Sequence, residues 1–196
     1  MNSSIFISDE GEIAGIYHKT HSFPPERLAG GGWTTPGKEA IVVDTKLGKI
    51  GMIICYDGDF PELSRVLAIQ GAEIITRSSA LLRSFEIWDM TNRARAYDNH
   101  VYVIATNSVG VDAEKNYYFG SSMIINPIAQ KLAQDRGTEE IISAKLDPNP
   151  LKHITYGANS PMIFDHLEDR NLDVYKDILK EAKSPFEPAK RISYNH

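Results

Sequence analysis

Three short apolar runs, Gly48 to Cys55, Ala72 to Ser79 and Val101 to Asn107, recur along the chain with one helix-length segment between each pair. This alternation limits the fold more than any other feature. The first run is nearly all apolar, as a strand covered on both faces requires. Between the first two runs, Leu63, Val66, Leu67 and Gln70 fall at helical spacing, with Asp59 as candidate N-cap, Pro61 in the first turn and Gly71 as the stop. Between the next two, Ser84 to Asn99 places Phe85, Trp88, Met90 and Ala94 among charges, again a helix. Strand, helix, strand, repeated, predicts right-handed parallel crossovers in an α/β sheet.

The flanks are simpler. Ser4 to Ser8 and Glu12 to His18 read as a hairpin around an Asp-Glu-Gly turn. His21 to Lys38 is rich in Pro and Gly, which forbids regular structure and allows close backbone approach. Ala40 to Asp44 reads as a strand, and Ser121 to Asn126, Lys131 to Gln134 and Glu139 to Leu146 as shorter, antiparallel ones. After Asp147 the composition changes. Residues 1–147 are therefore taken as the domain, and 148–196 as a tail with one helix near Asp169 to Ala182, packing on the domain or on a second subunit.

The 196 residues suffice for one domain with a substantial core, and 42% hydrophobic against 24% charged residues is a globular balance. A net charge of −5 without a Lys/Arg block argues against nucleic acid as partner. No apolar run is long enough for a membrane span, and the N-terminus lacks the pattern of a signal peptide. One cysteine excludes an intrachain disulfide and fits a reducing compartment, so the expected location is cytoplasmic. The six histidines show no metal-ligand spacing; His18 and His21 lack a third partner. Gly30 to Gly32 do not open a helix after a strand, so no phosphate loop is expected. Neither metal nor cofactor is implied.

That one cysteine, Cys55, stands at the carboxyl end of a buried strand and just before a helix, where open α/β sheets place their ligands. Free N–H groups and the helix dipole would stabilise a thiolate there. Position alone leaves the alternative of a packed core thiol. Asp57, Asp59 and Glu62 follow closely; the last two read first as partners of the helix start.

The segments "YHKTH" (Tyr17 to His21), "CYDGDFPE" (Cys55 to Glu62), "GAEII" (Gly71 to Ile75), "RARAYDNHVYVIATNSVG" (Arg93 to Gly110) and "FGSSMIINP" (Phe119 to Pro127), in this order, resemble the nitrilase superfamily of carbon–nitrogen hydrolases. The resemblance covers most of residues 1–147. It implies a four-layer α-β-β-α sandwich, homo-oligomers, and a Glu-Lys-Cys triad. Carried over by position, Cys55 matches the nucleophile and Lys19 the triad lysine. Glu26 in "FPPERL" is a candidate for the further glutamate that orients the lysine by a charge-assisted hydrogen bond. The backbone N–H of Tyr56, with Lys19, would stabilise an oxyanion. Asn107 and Ser108 end a strand on the same rim and are candidate substrate contacts. Trp33 and Tyr117 are candidates for the pocket wall, and Arg93 and Arg95 for salt bridges between helix and sheet.

In the family the general-base glutamate precedes the lysine by some tens of residues, whereas 18 residues precede Lys19 here. The sequence therefore reads as an N-terminally incomplete domain with an impaired triad. Three origins are open: part of a longer hydrolase, one piece of a two-chain protein, or a non-catalytic relative kept for binding or assembly. The activity implied is hydrolysis of a linear amide or N-carbamoyl compound through a cysteine thioester. The substrate would be a small neutral or cationic amide.

Overall fold

A computed structural model describes residues 1–157, 159–186, 188 and 190–192. The chain opens with an antiparallel hairpin, β1 (Ser3–Ile7) and β2 (Ile13–His18). The alternating segments then build one sheet with β3 (Val42–Thr45), β4 (Gly48–Ile54), helix α1 (Pro61–Ile69), β5 (Ile74–Ser79), helix α2 (Phe85–Asn99) and β6 (Tyr102–Asn107). A small hairpin, β7 (Val109–Val111) with β8 (Tyr117–Phe119), precedes β9 (Met123–Ile125) and β10 (Lys131–Gln134). The sheet order is β10-β9-β6-β5-β4-β3. Its centre is parallel, with Ile53 opposite Arg77 and Arg77 opposite Ala105, while β3 and β9 join antiparallel.

Side-chain alternation on β4 sorts the layers. Leu67 of α1 lies over Gly51 on one face of the sheet, while Met52 on the other meets Gly15 of β2, with Val43 beside it. Helices thus cover one face and the β1–β2 hairpin the other, so the described residues form three layers of the α/β sandwich. Trp88 of α2 is the largest fully buried side chain, and its Nε1 donates to the Ser121 carbonyl at 2.7 Å. Removing that surface from water contributes on the order of 4 kcal/mol. α2 starts on Ser84, whose Oγ accepts from the Ile87 N–H, and ends at His100 in the left-handed region, φ 51°.

The hairpin is apolar on both faces. Phe6 and Tyr17 turn inward onto the sheet, and Ile5 opposite Ile16 and Ile7 opposite Ile13 form an outward ladder, all four exposed. Such a patch is more than the scattered surface leucine of an ordinary fold. No helix among the described residues is long and apolar enough to cross a membrane.

Three local expectations are corrected. Residues 139–146 pair with no strand, and Ile141 is 97% exposed, because alternation without a neighbouring edge forms no ladder. The helix expected near Asp169 to Ala182 is a 3-10 turn at Leu172–Tyr175; Leu172, Ile178 and Leu179 face α1 across an open groove and stay exposed, so the apolar stripe gains little of the packing that stabilises a helix. Asp59 does not cap α1. The N-cap position is Phe60, without a side-chain cap, because Asp59 turns to two guanidinium groups instead.

Candidate active site

The apolar strand β4 delivers Cys55 to the carboxyl end of the sheet, into a 3-10 turn, Cys55–Asp59, that leads to α1. Cys55 is partly buried and takes φ 47°, a left-handed backbone that a non-glycine residue keeps only when its surroundings hold it there. Two buried groups supply that hold.

The first is Asp57, fully buried. Its Oδ2 accepts from Tyr17 Oη at 2.8 Å and from the Ile54 N–H at 2.9 Å. Its Oδ1 accepts from the His21 N–H at 2.9 Å and Thr20 Oγ1 at 3.2 Å, and His21 Nδ1 lies 3.1 Å away. Tyr17, Thr20 and His21 flank Lys19, so one carboxylate fastens the end of β2 to the turn that carries Cys55. Burial first, then the charge of Asp57, pushes the Tyr17 phenol far above its ordinary range. His21 stacks on Phe60 with centroids 3.8 Å apart, which tightens the same junction.

The second is Arg77, unremarked in the sequence because it sits in the middle of a strand. It is 1% exposed. Nε donates to the Cys55 carbonyl at 2.8 Å, Nη1 to Thr91 Oγ1 and Asn92 Oδ1 at 2.8 Å each, and Nη2 to Asp59 Oδ1 at 3.3 Å; the guanidinium also lies 4.9 Å over the Trp88 ring. Burial pushes its pKa down to about 10, partly offset by Asp59, so it stays charged near neutrality. Asp59 also takes Arg83 Nη2 at 2.8 Å. Gly58 makes room for this: a Cβ there would stand 2.2 Å from Arg77 Cζ. Gly58→Ala should therefore cost about 1–3 kcal/mol, read as a lower denaturant midpoint at unchanged slope. An unchanged midpoint would show that the guanidinium is free to move.

Lys19, at the end of β2, is 4% exposed, and its Nζ lies 2.5 Å from Glu26 Oε2. Glu26 ends a 3-10 turn, Pro24–Glu26, accepts the Phe23 N–H at 2.7 Å, and takes Asn2 Nδ2 at 3.1 Å on its other oxygen. Burial raises its pKa, but the bonds from Lys19, Phe23 and Asn2 outweigh burial and hold it below the ordinary value of 4.5. The glycine-rich loop keeps this turn in place, since a Cβ on Gly32 would lie 2.2 Å from the Glu26 backbone. A carboxylate with a lowered folded-state pKa stabilises fully above its unfolded value and loses that contribution as pH falls through the folded one. Urea unfolding across the acid range should accordingly show a shallower stability loss below pH 4.5 in Glu26→Gln than in the wild type. Superimposable profiles would contradict the ion pair.

The remaining candidates separate. Tyr56 is half-buried beside Phe23 and Phe60, with Arg83 over its ring. Asn107 is buried with its amide committed to backbone: Oδ1 accepts the Leu81 N–H, and Nδ2 donates to the Leu81 and Gly120 carbonyls. It braces two rim loops. Ser108 is exposed, its N–H on the Ser79 carbonyl. Trp33 and Tyr117 are 80% and 62% exposed. Arg95 donates to the Gly58 carbonyl and pairs with Asp98, and Arg93 reaches the Ala129 carbonyl and Asp89. Sequence reasoning missed the β7–β8 hairpin. It follows directly on the carboxyl end of β6, which runs parallel to β4, and so lies at the Cys55 end of the sheet; burial, then Asp112, raise the pKa of its Tyr118. The alternation in "VGVDAEKNYYF" was the available signal.

The structure thus places Cys55, at a strand end with a left-handed backbone, beside the segment that carries the Lys19–Glu26 ion pair, the two joined through Asp57. The carbon-nitrogen hydrolase family model matches residues 1–156, and the chain belongs to that family. It is 33% identical over 180 residues to a probable nitrilase of Schizosaccharomyces pombe, covering 91% of this chain and 62% of that one. It is 30% identical over 184 residues to the omega-amidase NIT3 of Saccharomyces cerevisiae, covering 90% and 61%. A carbon-nitrogen hydrolase crystal structure from Helicobacter pylori superposes with a TM-score of 0.72 at 29% identity, covering 91% of this chain and 66% of that one. The chain thus spans less than two thirds of the length of each of these relatives.

Proposed function

We propose that this chain supplies the nucleophile side of a site that hydrolyses a linear amide or N-carbamoyl compound. The observation that carries the reading is the Asp57 junction, which fastens the residues around Lys19 to the Cys55 turn. The Cys55 sulfur attacks the substrate carbonyl carbon. The Lys19 ammonium and the Tyr56 N–H take the oxyanion as it forms. When it collapses, the carbon–nitrogen bond breaks, the amine leaves with a proton, and water later cleaves the thioester. Glu26, held ionised by three donors, orients Lys19; proton transfer then falls to another carboxylate. The amide reading is supported by the name of the yeast relative, an omega-amidase, and by the sequence around Cys55. Nitrile attack would use the same thiol.

Ammonia release over a panel of linear amides, N-carbamoyl compounds and nitriles, with mass analysis of the protein, tests this. Release or a Cys55 acyl adduct from an amide is expected. Neither product from any compound would overturn the reading. A second reading, an assembly module without turnover, draws on the exposed ladder of Ile5, Ile7, Ile13 and Ile16. It requires that Cys55→Ala leave cellular function unchanged.

A further inference from the structure

Helix α1 has an outer side. Leu63 and Leu67 are buried toward the sheet, while Val66 and Ile69 are 42% and 55% exposed. Leu172, Ile178 and Leu179, from the stretch after Arg170, face them, and the two sides bound an open groove of about 600 Å³. That volume falls in the range of small-ligand sites.

Two half-buried arginines, Arg65 of α1 and Arg170, line the same groove. Arg65 Nη1 donates to the His166 carbonyl at 3.1 Å, and Arg170 Nε to the Leu167 carbonyl at 2.9 Å. Carbonyls of adjacent residues thus hold both guanidinium groups. Asp165 shapes that turn, its Oδ1 accepting the Leu167 and Glu168 N–H groups at 2.6 and 3.1 Å. Among the described residues no carboxylate lies within ion-pair distance of Arg65 or Arg170, and none of their remaining nitrogens is sealed from solvent. With Lys176, the lining carries three cations against Glu62 and Asp98, and Asp98 pairs with Arg95 at 3.1 Å instead. Burial first, then the charge of Arg170, pushes the Arg65 pKa down. The groove therefore joins an apolar floor to two like charges that no acid of the chain bridges.

We propose that this groove binds an amphiphilic anion, an alkyl carboxylate of medium chain length. Its carboxylate bridges the open N–H groups of Arg65 and Arg170, and its chain lies along Val66, Ile69 and the facing leucines. A bound anion relieves the repulsion between the two guanidinium groups, whose planar forks match carboxylate geometry. The site lies on the outer side of α1 and does not depend on the hydrolase reading.

The test titrates octanoate into the full chain by calorimetry, with octylammonium and n-octanol as parallel arms and sedimentation recording the oligomeric state. Saturable binding of octanoate alone is expected. Arg65→Gln and Arg170→Gln, each measured at a temperature where it is folded, should weaken it roughly tenfold or more, the equivalent of one lost charge-assisted hydrogen bond. Ile69→Ser, at an exposed position where the fold is not at stake, should weaken it severalfold through lost apolar contact. Absence of saturable binding, equal binding of octylammonium or n-octanol, or unchanged affinity in Arg170→Gln would each overturn the proposal. So would dimerisation without octanoate that Ile69→Asp abolishes, which would give the groove to a second copy of the chain.

Discussion

On the proposed reaction, Cys55→Ala should abolish covalent capture of the acyl group, with a rate loss at least on the order of 10⁴-fold for any amide turned over. The size follows from the chemistry. Alanine has no nucleophile, and the remaining oxyanion donors retain only the residual catalysis that binding and electrostatics provide. The fold should survive, because alanine fits φ 47° no worse than cysteine, and the Arg77 bond goes to the backbone carbonyl rather than to the side chain. The contrast of lost chemistry with a preserved unfolding midpoint therefore isolates the thiol. Since Cys55 is the only cysteine, iodoacetamide gives a single mass shift in the wild type and none in the variant. Alkylation of the wild type no faster than a free cysteine peptide would remove the case for an activated nucleophile. A variant that still turned over would place the chemistry elsewhere.

What could be read from the sequence divides along physical lines. The series β4, α1, β5, α2 and β6 was legible because burial marks each element in its own residues, as short apolar runs in the strands and as helical spacing between them. Cys55 was legible as a strand end, and Lys19 and Glu26 through family resemblance. Arg77 was not, because its role rests on a register: it stands opposite Ile53, on the face covered by α2, where it meets Thr91, Asn92 and Trp88. Those contacts link residues far apart in sequence. Asp59 misled for a related reason. A short acidic side chain before a proline reads as a cap, yet two guanidinium groups brought by other elements out-compete the free N–H groups of the helix. The segment at 139–146 shows the opposite failure, a strand-like pattern with no edge to join.

Asp57→Ala should be the most destabilising single change in the site. The substitution strips acceptors from the buried Tyr17 hydroxyl, the Ile54 and His21 N–H groups and Thr20 at once. Donors left buried beside a small cavity each lose a bond worth about 1.5–3 kcal/mol when the acceptor is charged, and relaxation recovers only part of that. A net cost of about 3–5 kcal/mol follows, which for a chain of this size lowers Tm by roughly 10 °C. Asp57→Asn should fall between wild type and alanine, because one oxygen remains while the new amide N–H₂ faces donors in place of the other. Thermal and urea unfolding of the two variants measure this directly. The functional consequence separates the junction from a merely structural brace. With Asp57 gone, the end of β2 is no longer held to the Cys55 turn, so the rate of Cys55 alkylation at a temperature where the variant is still folded should move toward that of an unactivated thiol. A folded Asp57→Ala variant with Tm within about one degree of the wild type and undiminished Cys55 reactivity would show that Lys19 and Cys55 are brought together by something other than this carboxylate.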